Sequence, residues 1–246
     1  MWGTILNAFT VLAGSSAGLL IGNRLPERIR ESVITGLGLV TMYVGISNAG
    51  ETENVIVPLL SLVLGVIAGE LLRLDVRLER FAGWLQSRMG RRAGPEPAPE
   101  EAGPDSRQRF IEGFVTASLV FCVGPLAFVG SIQDGMGLAS GFDQLAIKST
   151  LDFFSSMAFA ASLGIGVLFS VFTVLGVQGG LAILGALAGE FMTDPMINEM
   201  TAVGGLILIG LSLVLLDVKK PRMANFLPGL LFAPILAPLA IALGVY

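Results

Sequence analysis

Apolar stretches of about 20 residues recur along the chain and are separated by short polar segments. A helix of that length rises about 30 Å, which matches the hydrocarbon core of a bilayer. The pattern therefore predicts an all-α polytopic membrane protein with about eight transmembrane helices. The predicted helices cover residues 3–22, 33–48, 54–72, 110–130, 144–164, 167–189, 199–216 and 225–245.

The segment between the third and fourth predicted helices has a different pattern. Apolar residues and arginines are interleaved from residue 73 onward, which is typical of an amphipathic helix on a membrane surface. The following stretch is rich in Pro, Gly, Glu and Ala and predicts a flexible, exposed linker. The chain is thus predicted to contain a first three-helix repeat at 1–72, the amphipathic helix and linker at 73–107, a broken central helix pair at 108–164 and a second three-helix repeat at 165–246.

Composition supports lipid as the main solvent and limits the chemistry. The chain is 53% hydrophobic and only 14% charged, whereas soluble domains are about 25% charged. It has one cysteine and no histidine, which excludes an intrachain disulfide, histidine-based catalysis and a Cys/His zinc site. We therefore predict a protein embedded in a lipid bilayer, with no catalytic residues, no metal, no cofactor and no nucleic-acid partner.

The distribution of basic residues predicts an orientation, because Lys and Arg concentrate in cytoplasmic loops. With eight spans, every Lys and Arg except Lys148 falls on one side of the membrane. The loops near 49–53, 131–143 and 190–198 lie on the other side and contain acidic residues but no Lys or Arg. Both termini are therefore predicted to lie outside, and region 73–107 is predicted to be cytoplasmic.

Three GxxxG motifs lie at predicted helix ends, a pattern typical of close packing between membrane helices. They are Gly18 with Gly22, Gly65 with Gly69 and then Glu70, and Gly185 with Gly189 and then Glu190. These glycine faces can pack within one chain or between the subunits of a homo-oligomer.

The first and third motifs extend into similar sequences, GLLIGNRLPERIRESVITGLGL and GALAGEFMTDPMINEMTAVGGL. One copy begins outside the membrane and the other begins inside. This predicts an inverted repeat of predicted helices 1–3 and 6–8 around a central pair, as in many transporters, where the substrate site lies between the repeats. The alternative is a chance recurrence of Gly, Ala and Leu.

Ionisable side chains within a membrane span are costly and are therefore candidates for function. In the fifth predicted helix, Lys148, Asp152 and Ser155 share one face, and Ser149 and Ser156 lie beside it. This stripe is suited to lining a polar path or binding an ion, with Asp152 as ligand or proton acceptor and Lys148 setting its charge state. The alternative is an ordinary ion pair near the outer interface, with Lys148 extending toward water.

A second candidate region is FCVGPLAFVGSIQDGMG at residues 121–137. Gly124 and Pro125 interrupt its helical pattern, because proline lacks an N–H donor and disfavours a helical conformation in the residue before it. The polar side chains that follow are those of Ser131, Gln133 and Asp134. Transporters use such broken helices to coordinate ions, whereas an exposed turn is the alternative. Both a complete crossing and a broken helix remain open for residues 110–130.

Isolated polar residues in or beside the other predicted helices are lesser candidates. They are Asn7, Asn48, Gln178, Glu70 and Glu190. Each can equally join two helices through a hydrogen bond worth about 1 kcal/mol.

Four segments together resemble a known family. They are MWGTILNAFTVLAGSSAGLLIG, FCVGPLAFVGSIQDG, KSTLDFFSSMAFAASLGIGVLFS and the QGG at Gln178. They resemble the bacterial membrane proteins grouped as domain of unknown function 554, over nearly the whole chain. The resemblance implies a location in the bacterial cytoplasmic (inner) membrane and a transport role, without a settled substrate. The polar pattern that matches consists of Gly124, Pro125, Ser131, Gln133, Asp134, Lys148, Ser149 and Asp152.

Two functions follow from these patterns. The first is a transporter or channel-like protein for a small ion or small polar solute, with a polar path formed by predicted helices four and five. The alternative is a non-transporting sensor or scaffold that acts through region 73–107. An enzyme is not expected, because HExxH and GxGD motifs are missing and no histidine is present to activate a serine.

Overall fold

A computed structural model describes residues 1–22, 26–90, 104–122, 125–188 and 193–244. Within these ranges the chain is helical and contains no strand, which confirms the all-α prediction. The helices are α1 (Trp2–Gly22), α2 (Glu27–Ala49), α3 (Ile56–Leu72), α4 (Leu74–Gly90), α5 (Pro104–Cys122), α6 (Pro125–Gly135), α7 (Ala139–Leu163), α8 (Gly166–Phe169), α9 (Val171–Ala188), α10 (Asp194–Leu215), a 3-10 helix (Met223–Phe226) and α11 (Gly229–Ala242).

The number of membrane spans depends on how the bent helices are counted. By length and composition, five segments of the described chain can cross a membrane: α1, most of α2, α8 with α9, α10, and the 3-10 helix with α11. Two bent pairs, α3 with α4 and α5 with α6, raise the number to seven. An eighth span requires α7, which has 25 residues but carries Asp143, Lys148 and Asp152. The fold is thus a multi-pass helical membrane protein, and the count of eight stays a prediction.

The bend between α3 and α4 has a local cause. Arg73 separates α3 from α4 and has a left-handed φ of 49°, a conformation that commonly ends helices. The axis turns by 54° at this point, and α4 then lies along α5, where the Phe81 ring packs on that of Phe114. The predicted amphipathic helix corresponds to α4, and residues 91–103 of the predicted linker lie outside the described residues.

Helices α1 and α7 run in the same direction and are in backbone contact. Gly18 lies against the carbonyl of Met157, and Gly22 lies against the backbone of Ala161. Gly3 approaches the same helix near its beginning, at Leu145. A methyl group at Gly18 would collide with the α7 backbone, so the absence of side chains on this α1 face is what permits the approach.

Each helix of the first predicted repeat packs against its counterpart in the second: α1 on α9, α2 on α10 and α3 on α11. The α2–α10 pair is antiparallel, because Ala49 lies near Gly205 whereas Gly38 lies near Leu216. Between these pairs stand α5, α6 and α7, which position the site described below.

The second GxxxG motif packs within the chain, on the segment that begins α11. Gly65 lies against Gly229, and Gly69 lies against Asn225. Moving forward along α3 from Gly65 to Gly69 thus means moving backward from Gly229 to Asn225. Helix α3 therefore runs antiparallel to the segment that leads into α11.

The third GxxxG motif is described only in part. Gly185 lies against the carbonyl of Ile132 in α6, whereas Gly189 and the following Glu190 lie outside the described residues. The described glycines of all three motifs therefore face other helices of the same chain.

Aromatic residues of α5 form much of the interior. Phe114 and Phe121 are fully buried, and the Phe121 ring packs edge-on against Phe159 of α7, with 6.2 Å between ring centroids. Edge-to-face pairs of this kind add about 0.5–1.5 kcal/mol to the burial of the rings. This contact fixes α5 against the face of α7 that carries the charged residues.

Candidate functional site

Lys148 and Asp152 form a buried ion pair on α7. Lys148 Nζ lies 2.6 Å from Asp152 Oδ2, and each side chain is only 8% exposed. Residues four apart meet on one helix face. The i, i+4 pair of the alternative interpretation is therefore present, but its lysine is buried and does not extend toward water.

A cavity of about 290 Å³ borders this pair. We call it the first cavity; it lies between α2, α5, α6, α7 and α10. Nine of its 14 lining residues are apolar. The polar ones are Thr41, Asn48, Lys148, Asp152 and Ser155. The cavity is thus small and mostly apolar, with one ion pair in its wall, and it opens at the surface of the chain, where Val40 is 62% exposed and Leu151 is 58% exposed.

Asn7 approaches the pair from α1. Its side chain is fully buried and interacts with the Asp152 carboxylate, although neither amide atom reaches the geometry of a well-formed hydrogen bond within the described residues. Asn7 is not among the residues that line the first cavity. It therefore contacts the ion pair from the side of α1.

Gln178 on α9 is a second amide of this kind. It is fully buried, and within the described ranges neither its Oε1 nor its Nε2 atom has a hydrogen-bond partner. Helix α9 packs on α1, so the two helices that carry unpaired amides are neighbours. Asn7 and Gln178, two of the lesser candidates, are therefore both buried amides without a well-formed hydrogen bond among the described residues.

The three α7 serines that were predicted as site residues have different surroundings. Ser155 lines the first cavity. The Ser149 hydroxyl donates to the carbonyl of Leu145 at 2.6 Å, and the Ser156 hydroxyl donates to that of Phe153 at 3.0 Å. Both hydroxyls are thus used within their own helix, and of the three serines Ser155 alone offers its hydroxyl to the cavity.

Asp134 binds the beginning of α1 and does not line the first cavity. Its carboxylate accepts hydrogen bonds from the backbone N–H groups of Gly3 and Thr4, both at 3.2 Å. The first N–H groups of a helix have no partner within the helix, and the helix dipole favours an anion there. Asp134 therefore caps α1 from α6, which separates it from the ion pair with which it was grouped by sequence.

The remaining residues of the broken helix join α6 to α7. Gln133 Oε1 accepts hydrogen bonds from Ser140 at 3.0 Å and Gln144 at 3.3 Å. The Ser131 hydroxyl is buried without a partner among the described residues. Gly124 lies outside those residues, and Pro125 begins α6, which is bent from α5 by 65°. The interruption thus lies where proline predicts it.

Among the lesser candidates, Asn48 lines the first cavity near the end of α2. Glu70 forms an exposed ion pair with Arg222, at 3.2 Å. Glu190 lies outside the described residues. No group of three His, Cys, Asp or Glu side chains suited to a metal occurs in the part of the chain that the structure describes.

Glu199 is a buried carboxylate that the sequence interpretation did not select. It is fully buried on α10, where it accepts hydrogen bonds from the Thr52 hydroxyl at 2.8 Å and the Glu53 N–H at 3.3 Å. It thereby ties the loop after α2 to α10. The sequence did contain one indication of this role. Glu199 stands at the start of an apolar stretch, where a carboxylate without a partner would be costly.

A second cavity of about 300 Å³ lies between α4, α5 and the segment that follows α10. Its charged lining residues are Asp75, Glu79, Glu112, Lys220 and Arg222. The hydrogen bond that Lys220 donates to Asp217 raises the pKa of the lysine above its usual value. This cavity is therefore much more polar at its mouth than the first.

The two cavities approach each other deep in the protein. The second reaches Leu119 and Leu211, and the first reaches Val120 and Leu208. Leu208 and Leu211 are three positions apart on α10, which corresponds to a rise of about 4.5 Å along the helix. A layer of apolar side chains, itself part of one hydrophobic core cluster, thus lies between them.

We expect Asp134→Ala to lower the free energy of unfolding by about 1–3 kcal/mol, because α1 loses its cap and two buried N–H groups lose their acceptor. Thermal unfolding of the purified protein in detergent measures the effect. Asp143→Ala, an exposed change on the next helix, is the matched control. Equal melting temperatures for the two variants would contradict the capping role.

Comparisons with known proteins place the chain among relatives of unknown function. A family model described as "Protein of unknown function (DUF554)" matches residues 2–238. The chain is 34% identical to "Uncharacterized protein YqgA" of Escherichia coli (strain K12) over 232 residues, which cover 94% of each chain. It is 24% identical to "Uncharacterized membrane protein YdfK" of Bacillus subtilis (strain 168) over 239 residues, 96% of this chain and 95% of the relative. No solved structure matches significantly.

Proposed function

We propose that this chain, which belongs to the DUF554 family of proteins of unknown function, carries a small ion or a small polar solute across a membrane. Membership confirms the family resemblance noted in the sequence. The Bacillus subtilis relative is called a membrane protein, and the apolar helices agree with a multi-pass protein. The transported solute has to be inferred from the site.

The observation that carries the proposal is the buried pair of Lys148 and Asp152 beside the first cavity. A buried ion pair contributes little to stability, and apolar residues of similar size often replace it without loss. Charged residues within membrane spans usually mark the paths of ions and substrates. A pair that borders a cavity fits that role better than a structural one.

The second cavity supports a path rather than a closed pocket. The two cavities lie at different levels along α5 and α10 and are separated by side chains such as Leu119 and Leu208. In alternating access, one side of a central site is sealed while the other is open. In our proposal this thin apolar layer is the seal on one side of the site.

The packing of α2 on α10 and of α3 on α11 supports the proposed inverted repeat. A two-fold axis in the membrane plane makes related helices antiparallel, and both pairs have that direction. Rocking of one repeat against the other would open the two cavities in turn. The proposed polar path then runs through α5, α6 and α7, between the repeats.

We further propose that the second cavity opens to the cytoplasm of a bacterial cell, across its cytoplasmic membrane. Lys220 and Arg222 border this cavity, and basic loops favour the cytoplasmic side. In this orientation both termini lie outside. A homo-oligomeric state and the lack of an enzymatic activity stay predictions.

Accessibility from the two sides of the membrane tests the path without knowledge of the solute. In a Cys122→Ser background, we expect Ser155→Cys to react with a membrane-impermeant thiosulfonate from one side only and Thr116→Cys from the opposite side only. Ser155 lines the first cavity and Thr116 the second. Labelling of right-side-out and inverted vesicles measures this.

The matched control is Ile147→Cys on the outer surface of α7, where Ile147 is 60% exposed, which should react from neither side. Deleting residues 91–103 tests the alternative of a sensor or scaffold, because a path should keep its labelling pattern. Reaction of both cavity positions from one side, or of neither, refutes the transport proposal.

A further inference from the structure

We propose that the first cavity binds a small zwitterion with an apolar body, of the chemical class of α-amino acids with aliphatic side chains. This inference rests on the proposed transport function and names its substrate class. The charges of the site, the apolar residues of its wall and the polar groups that line it all favour such a molecule.

The charge of the site is balanced before any ligand binds. Lys148 and Asp152 neutralise each other at 2.6 Å. A lone anion would attract Lys148 and leave Asp152 uncompensated in a low-dielectric interior, and a lone cation would do the reverse; either is expensive. A zwitterion adds no net charge and can pair its carboxylate with Lys148 and its ammonium with Asp152.

The wall of the cavity selects the rest of the molecule. Its apolar residues include Leu37, Val40, Val44 and Phe159. A sugar or other polyol would face this wall with unpaired hydroxyls, which is unfavourable. The volume of about 290 Å³ lies at the lower limit of small-molecule pockets, which begin at about 300 Å³. An aliphatic side chain fits both the size and the character of the chamber.

Donors and acceptors for the two charged groups are present at the pair. Lys148 has three N–H donors, and one of them is used by Asp152. Thr41, Asn48 and Ser155 also line the cavity. Their hydroxyl and amide groups can donate to a carboxylate and accept from an ammonium group.

The test is counterflow of labelled L-leucine in proteoliposomes that contain the purified full chain. We expect leucine to be taken up, whereas isopentylamine, which lacks the carboxylate, and 4-methylpentanoate, which lacks the ammonium group, compete at least about 100-fold less well. These analogues are compared on the unaltered protein, so the result does not depend on a variant that folds poorly.

The second part of the experiment removes both charges of the ion pair. Lys148→Met with Asp152→Asn keeps the site neutral and should lower leucine uptake at least about tenfold. The control is Arg28→Gln with Glu31→Gln, which removes two exposed charges of opposite sign from α2 that line neither cavity. That control should keep full uptake.

The outcomes separate this inference from the transport proposal. If leucine is not taken up, or if 4-methylpentanoate competes as well as leucine, the zwitterion class is wrong. Two-sided cysteine labelling would still uphold transport in that event. Loss of both leucine uptake and two-sided labelling would refute both proposals.

Discussion

Replacing Lys148 by Met while Asp152 is kept is expected to lower the free energy of unfolding by about 3–5 kcal/mol. The change leaves a carboxylate buried without its partner, and such uncompensated charges are strongly destabilising. Denaturant or thermal unfolding of the purified protein measures the loss. The effect is large relative to the total stability of a typical protein, which is about 5–15 kcal/mol.

A double-mutant cycle distinguishes the cost of the unpaired charge from the contribution of the pair. Lys148→Met combined with Asp152→Leu should recover most of the lost stability, because apolar replacements of buried pairs are often neutral. The exposed Lys220–Asp217 pair is the reference, and breaking it should have no measurable effect. A Lys148→Met variant as stable as the parent would show that the pair is hydrated.

Replacing Gly18 by Leu is expected to prevent α1 from docking on α7. A single added methyl would already collide with the carbonyl of Met157, and backbone cannot yield as a flexible side chain can. Overpacking costs about 1–3 kcal/mol even where side chains are able to move, so we expect a larger loss here. Size-exclusion profiles and melting temperatures of the detergent-solubilised protein report it.

Gly176→Leu on α9 is the matched control, because an added Cβ at that glycine meets no atom within 4 Å. It carries the same change in a membrane helix without a close neighbour. Similar behaviour of the Gly18 and Gly176 variants would mean that the α1–α7 contact is looser than the structure indicates.

Hydropathy predicted the helices well but their ends poorly. The fourth predicted helix starts at 110 and the fifth at 144, whereas α5 begins at Pro104 and α7 at Ala139. Apolar patterns mark the part of a helix that lipid or core contacts. Backbone hydrogen bonds continue beyond it into polar turns, and hydropathy does not detect them.

Helical spacing alone predicted that Lys148, Asp152 and Ser155 share a face, since residues four and seven apart are aligned on any helix. The role of Asp134 could not be predicted in this way. Its partners Gly3 and Thr4 lie 131 and 130 residues earlier in the chain. That contact exists only because α6 and α7 bring the carboxylate to the beginning of α1.

The residues that other helices contribute to the first cavity could not be predicted either, because they are distant in sequence from the ion pair. Thr41 and Leu208 come from α2 and α10, two helices whose packing brings distant segments together. A single sequence contains no local signal for which of many leucines and valines faces a cavity. Ser149 and Ser156 show the reverse problem, because a polar residue on a promising face can bond to its own helix.

The capping of α1 by Asp134 has a consequence for how the protein is made. The Gly3 N–H group waits for an acceptor that lies 131 residues later, a delay of about 7 to 26 s at a synthesis rate of about 5–20 residues per second. Throughout that interval the nascent α1 carries Asn7 and Ser15, both fully buried in the finished fold, with none of its later helix partners. Helix α1 therefore reaches its final surroundings only after α6 and α7 have been synthesised.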